Sequence, residues 1–595
     1  MFESLRQKKK ELAAVVKPGG HSADELQEQA ARIWKQYQAG QRWQDNFGLF
    51  RATENNINFF EGRQWQYNGQ TLQTGGDVYP VENIITPITN YKVAVTCMNT
   101  MAIGYAPAWT VGASGRAQAL AACATLEKKA AQLWEMNKLD MRLWEYVQDC
   151  AVSGDVFIYF KMPEFKPEAV DTTNIFFADE QNREVQDQPY IIIRERKLID
   201  VIRREAKKNG LDEEQLELIR TDEDCSRELG VMAKMEIKEE NSEEPGGKTV
   251  SLLKMWRDEE SGNVCFCRSV KDIVYQPTQE VTGLELYPLV HGIWARQKGS
   301  GRGLSEVADI IPNQIEINKN LARRLFVSKN ISYPRMVYNI DLLENPADMQ
   351  VVGAPLGIQG STGNIKDVID YLRPPTIGAD AMALSAELID RTRELHNASD
   401  TALGSINPEK ASGEAILAAR DQAQVPLNWQ KQNYWQLVED IARVWFALIV
   451  AYNPNGLQVQ YEDKEGNFMV ESIDAATLAE LQVRVRVDVS AVDPVSKRAA
   501  EKALETLFLN GYISFEEYVQ ALGESSNVPK AKLQEILEQR KAAMQQAPPE
   551  AQQPTLPPMD GAAPAAAPAA AMLEAEAALA ADDRALMEVL RAPAQ

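Results

Sequence analysis

Leu304-Ser-Glu-Val-Ala-Asp-Ile-Ile-Pro-Asn-Gln-Ile-Glu-Ile-Asn-Lys-Asn-Leu-Ala-Arg-Arg-Leu-Phe-Val-Ser-Lys-Asn330 places Leu304, Val307, Ile311, Ile315, Ala322 and Leu325 at the spacing of one helical face. Pro312 interrupts this series and either kinks one long helix or starts a second. Unbroken, the stretch would span about 40 Å. Downstream, residues 331–376 read as strand and loop, punctuated by Pro334, Pro346, Pro355, Pro374 and Pro375. A helix resumes over Ile377–Ala398, with Leu384, Leu388 and Leu395 on one face and Glu387 to Arg391 as an i,i+4 pair. Residues 399–411 form a Gly/Pro/Asn loop, and Ser412 opens a long helical reach to Tyr452, bent at Pro426.

Upstream, helical patterns cover residues 23–50, 88–101 and 117–151, the last with few breakers. Short β-rich runs follow at 154–161 and 188–195, then an acid-rich helical stretch at 197–229. Strands at 249–256 and 263–269 form a hairpin around Glu260-Ser-Gly-Asn263. Towards the C-terminus, residues 457–489 alternate as strands, turning first at Gly466-Asn467. Asp493-Pro494 precedes a helical pair, 495–510 and 514–522, joined at Gly511. Residues 546–571 are rich in Pro, Ala and Gln and read as an unfolded linker. Met572–Arg591 is amphipathic, with a heptad step from Leu579 to Leu586. The pattern predicts an α+β fold, mainly α, in several domains.

The 595 residues carry 63 Lys plus Arg against 85 Asp plus Glu, a formal charge of −22. That balance opposes a protein that grips DNA or an anionic membrane over a broad basic surface. The longest strongly apolar run, Val444–Tyr452, is far short of the roughly 20 residues that cross a bilayer as a helix. Met1–Lys10 has charge without an apolar core behind it, unlike a secretory signal. Six scattered cysteines make no disulfide framework and suit a reducing compartment.

Few residues suggest catalysis. Gly299-Ser-Gly-Arg-Gly303 has the glycine density of a phosphate loop but lacks a Gly-Lys-Ser/Thr ending, so it reads as a flexible joint into the following helix. Cys265 and Cys267 read as buried structural thiols, because no second Cys or His pair stands nearby to complete four zinc ligands. The acidic runs Asp212–Glu214, Thr221–Asp224 and Glu236–Glu244 read as solvated faces. His291 and His396 read as packing or surface histidines. Lys319, Arg323, Arg324 and Lys329 are more informative. They form either a phosphate-facing stripe or one side of ion pairs with a neighbouring helix.

Several segments together carry a family likeness. Asn58-Phe-Phe-Glu-Gly-Arg-Gln-Trp65 followed by Pro80-Val-Glu-Asn-Ile-Ile-Thr-Pro87 resembles the opening of tailed-bacteriophage portal proteins, the head-to-tail connectors. Gly303-Leu-Ser-Glu-Val307 with Gln314-Ile-Glu-Ile-Asn318, and Ser412-Gly-Glu-Ala-Ile416 heading a long helix, are similar to further parts of that family. The likeness covers about residues 40–525 in layout and is nearest to portals of short-tailed and non-contractile-tailed phages.

The resemblance implies a ring of twelve subunits with a central channel, each with wing, stem, clip and crown. Residues 1–303 would be wing, 304–330 the first stem helix, 331–376 the clip and 377–398 the second stem helix. Residues 399–411 would be the tunnel loop, 412–492 the tunnel helix and return to the wing, and 493–545 the crown. Residues 546–571 remain a linker, and 572–595 would add a C-terminal helix or barrel. Implied channel residues are Lys410, Asn407 and Ser405 on the loop, with Lys319, Arg323 and Arg324 on the stem. Implied partners are double-stranded DNA passing without sequence readout, the terminase large subunit, head-completion or tail adaptor proteins, and a major capsid or scaffolding protein. The setting would be one capsid vertex of the virion, reached from the host cytoplasm. No enzyme activity, cofactor or membrane contact is expected. The rival readings are a metal-dependent nuclease and another virion structural protein.

Overall fold

A computed structural model describes residues 16–18, 23–74, 78–108, 115–222, 227–229, 247–332, 336–338, 341, 357–359, 369–371, 379–398, 422–462 and 468–490, with isolated helical positions at Leu504, Phe508, Tyr518 and Ala521. The fold is mixed α and β, helix exceeds strand about twofold, and there is no closed barrel among these residues. The chain divides into two compact units, Met1–Asp493 and Pro494–Gln595. In the second unit, the Phe508 and Tyr518 rings lie 5.3 Å apart. The helical pair expected over 495–510 and 514–522, joined at Gly511, lies mostly outside the described residues.

The principal helices of the first unit are α1 (Ala23–Phe47), α2 (Leu49–Phe60), α3 (Ile85–Cys97), α4 (Arg116–Met136), α5 (Leu139–Ser153), α6 (Ile199–Lys208), α7 (Ile311–Ser332), α8 (Ala379–Leu395) and α9 (Asn428–Tyr452). The expected single helix over 117–151 is broken at Asn137-Lys138, where Lys138 takes a left-handed φ of 51°. The helix expected over 88–101 stops at Cys97. Residues Thr100–Pro107 instead form a strand, paired along its length with Val483–Ser490. The stretch 197–229 divides into the end of a strand, α6 and the short helix Glu213–Leu216, which Asp212 and Gln215 cap reciprocally.

A six-stranded antiparallel sheet runs in the order Val16–Pro18, Val274–Val281, Val264–Ser269, Lys248–Arg257, Tyr190–Leu198 and Ile175–Phe177. Both faces are buried. Ile191, Ile193, Leu253 and Met255 enter the main core, whereas Ile192, Val250, Leu252 and Cys267 meet Leu26, Ala30, Ile33 and Tyr37 of α1. A strand covered on both sides has no polar alternate positions, which accounts for the unbroken Ile191-Ile-Ile193 run. Cys265 and Cys267 are buried free thiols, as expected, and burial pushes them up to about 11 and about 12. A second sheet orders Leu289–Ile293, Asp155–Lys161 and Lys166–Val170, and α9 packs on it through Leu437, Ile441, Trp445 and Leu448.

Gly299–Gly303 is a locked corner, contrary to the flexible joint the sequence suggested. Arg302 is 2% exposed and its guanidinium grips both carboxylate oxygens of Glu180 at 2.9 and 3.0 Å. It also donates to the carbonyls of Thr172 and Ile175 and to the Thr172 hydroxyl. A Cβ on Gly301 would stand 2.8 Å from the Asn182 carbonyl oxygen, and one on Gly303 would stand 2.1 Å from that of Gly154. These glycines allow two backbones to touch.

Pro312 starts a helix and kinks nothing. The apolar series from Leu304 is therefore two elements: Gly303–Leu304 pairs with Ala295–Arg296, and α7 begins at Ile311. The helix expected over 304–330 is thus Ile311–Ser332, and the one expected over 377–398 is Ala379–Leu395. In the expected clip, Met336–Tyr338 pairs antiparallel with Ile369–Tyr371. The bend at Pro426 is present, as a short 3-10 turn over Val425–Leu427 before α9.

Candidate functional site at the root of the long helix pair

Helices α7 and α8 pack side by side. The Asn313 amide, near the start of α7, donates to the Thr392 hydroxyl, near the end of α8, at 3.1 Å, so the pair is antiparallel. Asn397 then adopts a left-handed φ of 55°, and the Ala398 amide closes back onto the Arg393 carbonyl at 2.8 Å. This ends α8 in the usual Schellman manner.

The root of the pair is a buried polar joint. Gln314 is fully buried, and its amide oxygen accepts from the Ile84 backbone at 3.1 Å. Its nitrogen donates to the Glu82 carbonyl at 2.7 Å and to Asn318 at 3.1 Å. Asn318 accepts from the Glu82 amide at 3.0 Å and donates to Gln64 at 2.7 Å, while Gln64 donates to the Phe59 carbonyl. Asn83 caps α3 by accepting from the Ile85 and Thr86 amides and donates to the Phe60 carbonyl. Around these amides, Phe59, Ile84, Ile85, Ile88, Val307, Ile310, Ile311 and Ile317 form one apolar cluster. The segments 58–65, 80–87, 303–307 and 314–318, up to about 250 residues apart in sequence, therefore make one assembly.

Beside it lies an ionic knot centred on Glu306. One carboxylate oxygen receives Lys92 at 2.5 Å and His396 at 3.0 Å; the other accepts from the Trp294 indole at 3.1 Å. Side-chain exposure is 7% for Lys92 and 10% for Glu306. Burial raises the Glu306 carboxyl, but the His396 hydrogen bond and the Lys92 ammonium outweigh it and hold the group below its ordinary range. The backbone is pinned as well: the Glu306 amide donates to the Ala151 carbonyl and the Ser305 hydroxyl to that of Val152. The knot ties α3, the residue after the strand ending at Ile293 and the exit of α8 to one carboxylate, while the backbone beside it holds the end of α5.

Further out on α7, the cations project from the helix. Lys319 pairs with Glu316 of its own helix at 2.8 Å and is partly exposed. Arg323 is exposed and donates to Asn320 at 3.0 Å. Arg324 is half-buried and Lys329 exposed. No ion pair joins Lys319, Arg323 or Arg324 to α8 among the described residues. The expected Glu387–Arg391 pair within α8 is present at 2.7 Å. Ser405, Asn407 and Lys410 lie outside the described residues, as does the Ser412 segment.

One histidine packs as expected and one does more. His396 is a member of the Glu306 knot, and His291 is buried with its ring stacked 4.3 Å from Phe157. The amide pair Gln314 and Asn318, four residues apart within an apolar helix face, was the sequence signal for the joint. Lys92 and Trp294 carried no such signal. Among the described residues, no group of three or more His, Cys, Asp or Glu is placed to hold a metal ion. No helix among them is long and apolar enough to cross a membrane.

Compared with protein-family models and with curated proteins, the chain matches none.

Proposed function

We propose that this chain is a phage portal protein, a subunit of a closed ring that conducts DNA through one capsid vertex. The observation that carries the reading is the convergence at one joint of the segments 58–65, 80–87, 303–307 and 314–318. These segments carry the resemblance, and in a portal subunit the joint would be the meeting of wing and stem.

Two further features support it. Leu325, Phe326, Ile331, Leu384 and Leu395 are 41–74% exposed on the helix pair, apolar surface that neighbouring subunits would cover in a ring. Twelve copies at −22 each would carry a charge on the order of −260. An acidic bore repels phosphate, so DNA passes without being held. Lys319, Arg323 and Arg324, together with Lys410, Asn407 and Ser405 of the loop, would touch the backbone without reading bases. The ring would be a passive conduit and docking hub for the terminase large subunit, which supplies force, for head-completion or tail adaptor proteins, and for the capsid or scaffolding protein.

Antibody labelling of virions tests this. The expected result is label at a single vertex, at the junction of head and tail. Label over the whole shell, or absent from the virion, contradicts it.

A further inference from the structure

Between α1 and the face of the six-stranded sheet lies a cavity of about 450 Å³. That is the size of a small-molecule site, roughly 300–1,000 Å³. The protein is strongly acidic, yet among the described residues four cations line this cavity against two carboxylates.

The cations differ in their freedom. Arg194 is 4% exposed at the floor; its two terminal nitrogens donate to Asn174 at 3.0 Å and to Glu228 at 2.7 Å. Its Nε is buried and makes no hydrogen bond within 3.5 Å, although the Tyr37 phenol interacts with this guanidinium. A buried cationic N–H left without an acceptor is costly, and an oxyanion entering from the cavity would satisfy it. Arg227 is engaged by Asp45 and Gln44. Arg220 and Lys271 stand exposed at the mouth with no side-chain partner among the described residues. The two carboxylates are Asp222, beside Arg220, and Asp272, beside Lys271. One wall is aromatic: Trp34 and Tyr37, ring centroids 5.1 Å apart.

We infer that this cavity binds a phosphate monoester carrying a flat ring, of the nucleoside monophosphate class, with the phosphate between Arg220, Lys271 and Arg194 Nε and the ring along Trp34. A bare phosphate would leave most of the volume empty, and the cation set suits a compact dianion better than a spread-out polyanion. The inference does not depend on the portal reading, because the cavity lies on α1 and the sheet, away from α7 and α8.

Isothermal titration of the full chain tests it with four probes: adenosine monophosphate, inorganic phosphate, adenosine and a single-stranded oligonucleotide without a terminal phosphate. Saturable binding of the monophosphate, weaker binding of phosphate and none of adenosine are expected. Arg220→Ala with Lys271→Ala should weaken the monophosphate at least about tenfold, as loss of two charge-assisted contacts does, with the ligand-free melting temperature unchanged. Arg220→Lys with Lys271→Arg, which keeps both charges, should retain binding. No saturable binding to the wild type, equal binding by the alanine pair, adenosine binding as well as its phosphate, or preference for the oligonucleotide would each overturn the inference.

Discussion

Replacing Glu306 by leucine should destabilise the first unit more than any change at an exposed charge. The substitution removes the carboxylate that receives Lys92, His396 and Trp294, and leaves an ammonium with 7% side-chain exposure without its anion. Losing one partner of a buried ion pair costs about 3–5 kcal/mol. Urea unfolding followed by tryptophan fluorescence should show this as a lower midpoint. Adding Lys92→Met to Glu306→Leu removes the stranded charge and should recover most of the loss, since an apolar replacement of a buried pair is often neutral. The pH dependence has a definite sign. The folded carboxyl lies below its ordinary value of 4.5, so its contribution is full above that pH and is lost as pH falls through the lower folded value. The gap between wild type and Glu306→Leu should therefore narrow below pH 4.5. A single variant within about 0.5 kcal/mol of wild type, the scatter of ordinary surface substitutions, would refute the reasoning, as would a double variant no better than the single.

Other outcomes follow from the same geometry. Asn318→Leu should cost about 2–3 kcal/mol, because the Glu82 amide and the buried Gln64 both lose their partner; thermal unfolding reads it. Arg302→Met should cost about 3–5 kcal/mol by stranding Glu180, and should show as loss of soluble protein. Lys319→Ala and Arg323→Ala should change the unfolding free energy by no more than about 0.5 kcal/mol, since both side chains reach solvent. Combined with Lys410→Ala, they should impair genome packaging or retention; normal packaging and retention would remove those residues from the channel.

Much of the fold was legible in local pattern. The helices around residues 23–47 and 379–395, and the hairpin at 248–269, follow from periodicity and turn residues. Misreadings arose where distant partners decide. The helix read over 88–101 runs into Thr100–Pro107, a strand whose ladder Val483–Ser490 supplies from nearly 400 residues away. The break between α4 and α5 has no Gly or Pro at its left-handed residue, Lys138. Glycines at 301 and 303 suggested freedom, but backbone contact with Asn182 and Gly154 requires them there. The joint was half visible: its motifs stood out, but the bonds from Gln64 and Glu82 to Gln314 and Asn318 cross more than 230 residues and leave no periodic trace.

The central claim concerns many copies around a hole. Single-particle electron microscopy of the purified full chain tests it most directly. A closed ring with a central opening wide enough for a DNA duplex is the predicted result. Solitary chains at every concentration tried, with no annular particle, would contradict it.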